Sequence, residues 1–245
     1  MLDPFVILAP VLLLPVVALL GFAGCELIIG PLKDRSPSLG FMHYATAVAA
    51  SQGAAVQALN LNTQGCNLIV LIAADYEGAT GGESVQDKST IVDTLNPTAN
   101  YQVATGATLE PNSIAIFYCP KANGGPHHDI SISGRYTSLV VLWAQYADTD
   151  PVDQTQIGTA NASSVTLPNF TPSGNGTLVV TGVSAVASSF TIDDPGFTVI
   201  TPEASYPQSA GLAVAYQVQT TSGPVSPTWQ PNAAGTIAAV IASFK

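Results

Sequence analysis

From residue 55 onward the apolar residues fall into short runs punctuated by Gly, Pro, Ser, Thr and Asn, and the runs are of two kinds. Leu139-Val140-Val141-Leu142-Trp143 is continuous, the signature of a strand covered on both faces, whereas Ile130-Ser131-Ile132-Ser133 and Tyr216-Gln217-Val218-Gln219 alternate, as strands with one wet face do. Read this way, the pattern predicts strands over 55–61, 67–74, 90–95, 113–119, 129–133 and 138–146 in the first half. In the second half it predicts strands over 163–168, 177–184, 189–193, 196–201, 211–218, 226–230 and 235–244. Turn signals separate them at Gly81-Gly82, Asn123-Gly124-Gly125-Pro126, Ser173-Gly174-Asn175-Gly176 and Ser222-Gly223-Pro224. No amphipathic helix of ten or more residues follows residue 60. The Ala-rich stretch Met42–Ala58 leaves Tyr44–Ser51 open between a short helix and an entering strand.

The pattern is also written twice. Asn67–Ala74 (NLIVLIAA) returns as Thr177–Ser184 (TLVVTGVS), and Ile91–Asn96 (IVDTLN) as Phe197–Pro202 (FTVITP). Ile114–Tyr118 (IAIFY) returns as Leu212–Tyr216 (LAVAY), and Thr137–Tyr146 as Gly235–Phe244. Four blocks in one order argue for a duplication of a unit of short strands. The expected fold class is all-β: a duplicated antiparallel β-sandwich of jelly-roll type, preceded by an apolar N-terminal helix. One composite body and two tandem sandwiches both fit. The divisions are an apolar leader (1–32), a linker (33–41), a first sandwich half (42–147), a connector (148–162) and a second half (163–245).

Residues Phe5 to Gly24 are twenty uncharged, mostly apolar positions, enough as a helix to cross ~30 Å of hydrocarbon. Three fates are open for this segment. Phe22-Ala23-Gly24-Cys25 is similar to a bacterial lipobox, which would make Cys25 a lipidation site, although no Lys or Arg precedes it and apolar Leu27-Ile28-Ile29 follows. The others are an uncleaved membrane anchor and a hydrophobic peg held by neighbouring subunits.

Composition narrows the function classes. Charged residues are only 9% of the chain, so the outer strand faces must be covered by neutral polar side chains, as is common in secreted and virion proteins. Six Lys and Arg stand against sixteen Asp and Glu, a net charge of −10 with no basic cluster, which argues against a nucleic acid partner. Three cysteines are too few for a disulfide scaffold; Cys66 and Cys119 are either a pair or two separate buried thiols.

Asp3-Pro4-Phe5 followed by LLLPVVALLGFAGC, ahead of a body ending in AAVIASFK, resembles a group of bacterial and phage-associated proteins. In these a similar leader precedes a lectin-like or jelly-roll β-sandwich. The resemblance implies that fold for most of the chain and brings no catalytic residue with it.

Candidate chemistry is sparse. In His127-His128-Asp129, strand geometry puts His127 and Asp129 on one face and His128 on the other, and no further Cys or His spacing completes a zinc site. Asp148, Asp150 and Asp153 form an acidic loop with alternating carboxylates of the kind calcium takes, so calcium is the one cofactor to test and no other is expected. Glu83 with Asp87 and Asp193 with Asp194 are lesser acidic clusters. Neither a Gly-x-Ser-x-Gly nucleophile nor a phosphate-binding loop is present, since Gly78–Gly82 lacks a following lysine and helix. Tyr76, Tyr101, Tyr136, Tyr146, Tyr206 and Trp229 fall near predicted strand ends, where they either cap the core or present a contact surface. Of these, Trp229, Tyr136 and Tyr206 are the candidate ligand-binding residues.

The expected function is therefore non-enzymatic. The first reading is a structural protein that assembles with copies of itself or with other structural subunits on a virion or cell surface, its leader serving as anchor or peg. The alternative is a membrane-tethered adhesion or carbohydrate-binding module whose partner is a glycan.

Overall fold

The computed structural model describes residues 42–48, 54–76, 90–97, 100–133, 136–145, 149–200 and 211–245. The expected leader helix, the linker and Cys25 lie outside these. Among the described residues the protein is all-β, with no α-helix, and every strand pairing is antiparallel.

The first lobe contains β1 (Met42–Val48), β2 (Val56–Leu61), β3 (Leu68–Tyr76), β4 (Thr90–Asp93), β5 (Gln102–Leu109), β6 (Asn112–Pro120), β7 (His128–Ser133) and β8 (Tyr136–Ala144). They form a five-stranded sheet of order β1-β8-β3-β6-β5 and a three-stranded sheet of order β2-β7-β4. The second lobe contains β9 (Val152–Ala162), β10 (Val165–Thr166), β11 (Thr177–Ala185), β12 (Phe190–Ile192), β13 (Thr198–Ile200), β14 (Gly211–Gln219), β15 (Thr228–Pro231) and β16 (Gly235–Phe244). Its sheets, β9-β16-β11-β14-β13 and β10-β15-β12, repeat the first lobe's wiring strand for strand.

That correspondence supports three of the four sequence matches and corrects the fourth. IVDTLN covers β4, whose place in the second lobe is taken by β12, whereas FTVITP begins β13, the counterpart of β5. Short edge segments of similar composition invited the wrong pairing. The connector is also corrected: most of residues 148–162 is β9, hydrogen-bonded along β16 from Gly235↔Ala162 to Phe244↔Val152, so the second lobe begins at Val152. The stretch left open around Tyr44 is β1, an edge strand on β8.

Residues Pro37–Lys245 make one compact unit, and within it the two lobes share a core. Strand residues alternate between faces. In the first five-stranded sheet Ile69, Leu71, Phe117, Leu139 and Val141 therefore point to the three-stranded sheet, meeting Val56, Ile91, Ile130 and Ile132. The intervening residues Leu68, Val70, Ile72, Ile114, Ile116 and Leu142 point the other way, onto Leu178, Val180, Leu212, Val214, Val240 and Phe244 of the second lobe. The second lobe's five-stranded sheet then uses Val179, Val183, Ala213, Ile237 and Ile241 to pack on Leu167, Phe190, Val225 and Trp229. The order is three strands, five, five, three. The two inner sheets are buried on both faces, which is why all nine residues of β11 are buried and why the sequence there reads as continuous apolar runs. The outer strand β7 keeps strict alternation of buried and half-buried positions.

Close approach of the inner sheets depends on Gly182 in β11. A Cβ there would lie 2.9 Å from Ile114 Cδ1 and 3.0 Å from Ile72 Cγ2, both across the shared core. Asn112 reinforces the contact from the first lobe, its amide donating to the Thr236 carbonyl and hydroxyl, each at 2.8 Å.

Candidate functional site

A dense polar cluster lies inside the first lobe, at the end of the outer sheet. β7 starts at His128, and its alternation turns that side chain inward until it is 0% exposed. A buried imidazole needs partners on both nitrogens. Nε2 lies 2.6 Å from Asp93 Oδ1, and Nδ1 lies 2.7 Å from Thr63 Oγ1. Asp93, at the end of β4, also accepts the backbone N–H groups of Leu95 (2.8 Å) and Asn96 (2.7 Å) and the Tyr101 hydroxyl (2.7 Å). The side chain of Asn96 extends the network to Asn123, accepting its N–H at 2.6 Å and donating to its carbonyl at 3.1 Å.

Burial alone would raise the Asp93 carboxyl, but the hydrogen bonds from His128, Tyr101, Asn96 and Leu95 more than offset it, and its pKa is held below the ordinary value. Burial, with the Asp93 charge added, pushes the Tyr101 phenol far up. Cys66 and Cys119 line the same core and are both free thiols. Burial, then the Asp93 charge, pushes Cys119 up to about 12, and burial likewise raises Cys66. Neither is a ready nucleophile.

Thr63, His128 and Asp93 lie in the order hydroxyl, imidazole, carboxylate, the sequence of groups that activates a nucleophile. Here the hydroxyl is 0% exposed and accepts the Gly125 N–H at 3.1 Å, so a substrate carbonyl has no approach to it. The trio instead fastens three loops together. Thr63 N–H donates to Gly125 O at 3.0 Å, and a Cβ on Gly124 would sit 1.9 Å from the Thr63 carbonyl oxygen, so this crossing requires glycine.

Fastening Thr63 inward leaves its neighbours, Asn62 and Gln64, on the outside. These two amides, with His43 and Trp143, line a surface cleft of about 520 Å³. His43 on β1 and Trp143 on β8 are directly opposed cross-strand partners, and their rings stack at 5.9 Å between centroids with 27° between planes. Trp143 is only 7% exposed, and its indole nitrogen has no hydrogen-bond partner.

The residues singled out from the sequence are placed differently. Trp229 is in the core and not at a rim: it is 0% exposed, packs between the second lobe's sheets, and donates its indole N–H to Thr181 Oγ1 at 3.0 Å. The alternation of β15 turns it inward. Tyr136 begins β8, but its side chain is outside the described residues, as are Tyr206, Asp148 and Cys25. Asp150 is on an exposed turn. Asp153 has its oxygens committed to Ser173 N–H (2.8 Å), Ser173 Oγ (2.6 Å), Ser243 Oγ (3.3 Å) and Lys245 Nζ (3.5 Å). Burial would raise its pKa, but these Ser173 bonds and the Lys245 charge lower it on balance. Asp153 is thus engaged within the second lobe, and among the described residues, which do not include Asp148, no three His, Cys, Asp or Glu side chains converge on a metal position. Of the His127-His128-Asp129 run, only His128 enters the core; His127 Nδ1 pairs with Asn60 Oδ1 at 2.6 Å and Asp129 Oδ1 accepts the Asn60 N–H at 2.6 Å.

Thr63, Asp93, Trp143 and the Asn62/Gln64 pair were not anticipated. Inward-facing His128 on an alternating strand was the available signal, because a core imidazole demands an acid that only the fold could identify. No protein-family model, no curated protein and no solved structure matches this chain.

Proposed function

We propose that this protein is a non-enzymatic structural subunit whose body is a double jelly roll. The observation that carries the reading is the repeated wiring: eight strands divided five and three, then the same eight again, with the two inner sheets fused through one apolar core. Strands one, eight, three and six side by side, facing two, seven and four, are the arrangement of a jelly roll, with the fifth strand added to the inner sheet. Jelly rolls serve capsid and lectin proteins. Fusing two of them gives one rigid block with a quasi-repeated outer surface, suited to contacts with several neighbours. The polar chemistry of the first lobe is consistent with such a role, since its strongest groups fasten loops internally. The apolar leader supplies an anchor or peg, and an extracellular or virion surface is the proposed location.

Sedimentation velocity of the full chain over a range of concentrations tests this. Multi-subunit particles are expected, reversible or closed; a single species of 25.1 kDa at every concentration would remove the assembly reading.

A further inference from the structure

We propose that the cleft between β1, β8 and the β2–β3 loop is a binding site for a neutral saccharide. The inference is independent of the assembly reading and uses none of the aromatic residues first singled out in the sequence.

Four side chains define the ligand chemistry. The exposed His43 ring, stacked on the nearly buried Trp143, offers an aromatic face, and Asn62 and Gln64 present two carboxamides beside it. Each carboxamide carries a donor pair and an acceptor, able to satisfy adjacent hydroxyls of opposite donor and acceptor sense. Among the described residues that line the cleft there is no Asp, Glu, Lys or Arg, so nothing described supplies the counter-charge that a charged ligand would need in place of its hydration. A purely apolar ligand would strand the two amides. A ring with one C–H face and a rim of hydroxyls satisfies both halves of the cleft, which is the chemistry of a pyranose. The volume, about 520 Å³, falls within the range of small-molecule sites.

The second observation is the Trp143 indole nitrogen, a polar atom with no protein partner on a side chain that is more than nine-tenths buried. Buried donors are nearly always satisfied, and the exceptions call for a reason. Here the residue lines the cleft beside the exposed His43 ring. The supporting loop is already fixed, because Thr63 is held from below by His128 and by Gly125, so Asn62 and Gln64 are presented on a rigid base.

The chain has two tryptophans, and the structure makes one of them an internal control. Trp229 already donates to Thr181 and sits in the second lobe's core. The experiment is fluorine NMR of the full chain labelled with 5-fluorotryptophan, titrated with the methyl glycosides of glucose, galactose and mannose and with N-acetylglucosamine. Single-site saccharide binding is commonly weak, so each titration runs to about 50 mM, well above a millimolar dissociation constant. The expected result is a saturable shift of the Trp143 signal with at least one sugar while Trp229 stays put. Substituting the exposed Gln64→Ala should weaken that binding roughly tenfold, equivalent to one hydrogen-bonding group, and Asn62→Ala should do likewise. If no sugar moves the Trp143 signal, or if both signals drift in parallel without saturating, or if Gln64→Ala and Asn62→Ala both leave binding unchanged, the proposal is wrong.

Discussion

Introducing a methyl group at Gly182 probes the fusion of the two lobes directly. A Cβ at this position would be 2.9 Å from Ile114 Cδ1 and 3.0 Å from Ile72 Cγ2, against an optimal carbon–carbon separation of roughly 3.5–4.0 Å. The facing sheets must therefore yield by roughly half an ångström or more. Gly→Ala at a compatible strand position would gain about 0.4–1 kcal/mol through the unfolded chain, whereas overpacking a tight core costs about 1–3 kcal/mol. The steric effect wins, and Gly182→Ala should lose about 1 kcal/mol, with Gly182→Val losing more. The diagnostic is a double-mutant cycle across the lobes. Ile114→Val removes the nearest atom and should by itself cost about 0.5–1.5 kcal/mol. Combined with Gly182→Ala it should cost clearly less than the sum, with a favourable coupling of about 1 kcal/mol, because the new methyl enters the space vacated by Cδ1. Urea unfolding followed by far- and near-ultraviolet circular dichroism provides the free energies. Additivity within about 0.3–0.5 kcal/mol would mean that the two sites do not touch, and the shared core as described would be refuted.

Other consequences follow from the first lobe's polar core. Asp93 and Asp153 both have native pKa values below their ordinary one, so the stability they contribute is present above about pH 4 and is lost as pH falls through the native values. Stability measured from pH 6 to pH 2 should therefore decline below pH 4, and Asp93→Asn should flatten part of that decline while costing about 1–3 kcal/mol at pH 7, because the buried donors around it lose their charged acceptor. Cys66 and Cys119 should resist a disulfide reagent at pH 8 in the native protein and react after unfolding; rapid native labelling of either would contradict their burial. Gly124→Ala should be much more damaging than an ordinary loop substitution, because the obstructing atom is the Thr63 backbone oxygen, and a melting temperature within a few degrees of wild type would refute the tight crossing.

How much of this was legible in the sequence depends on layer. The inner-sheet strands β3, β6, β8, β11 and β16 announce themselves because burial on both faces favours long apolar runs, β14 does so through Leu212–Tyr216 before its alternating, more exposed end, and outer β7 does so because burial on one face demands alternation. Strands β1, β5 and β9 did not stand out. Each is at a sheet edge, with a hydrogen-bonded neighbour on one side only, and β9 (VDQTQIGTANA) has no fully buried residue. Hydrogen bonding along β16 makes it a strand, and polarity conceals it. The polar core was hidden for another reason: Thr63, Asp93 and His128 are 30 or more residues apart and meet only through the β2-β7-β4 sheet. Trp229 reads as a rim residue because it falls near the end of the predicted strand 226–230, yet short β15 alternates and turns the indole inward.

The role proposed for this duplicated block is that of a subunit in a larger assembly. Native mass spectrometry of the full-length protein tests it most directly, because one spectrum reports both the protomer mass and the number of copies. Such a subunit should appear as a defined multi-subunit particle whose mass is a whole multiple of the 25.1 kDa chain. A spectrum containing only a single protomer, under conditions where it remains folded, would contradict it.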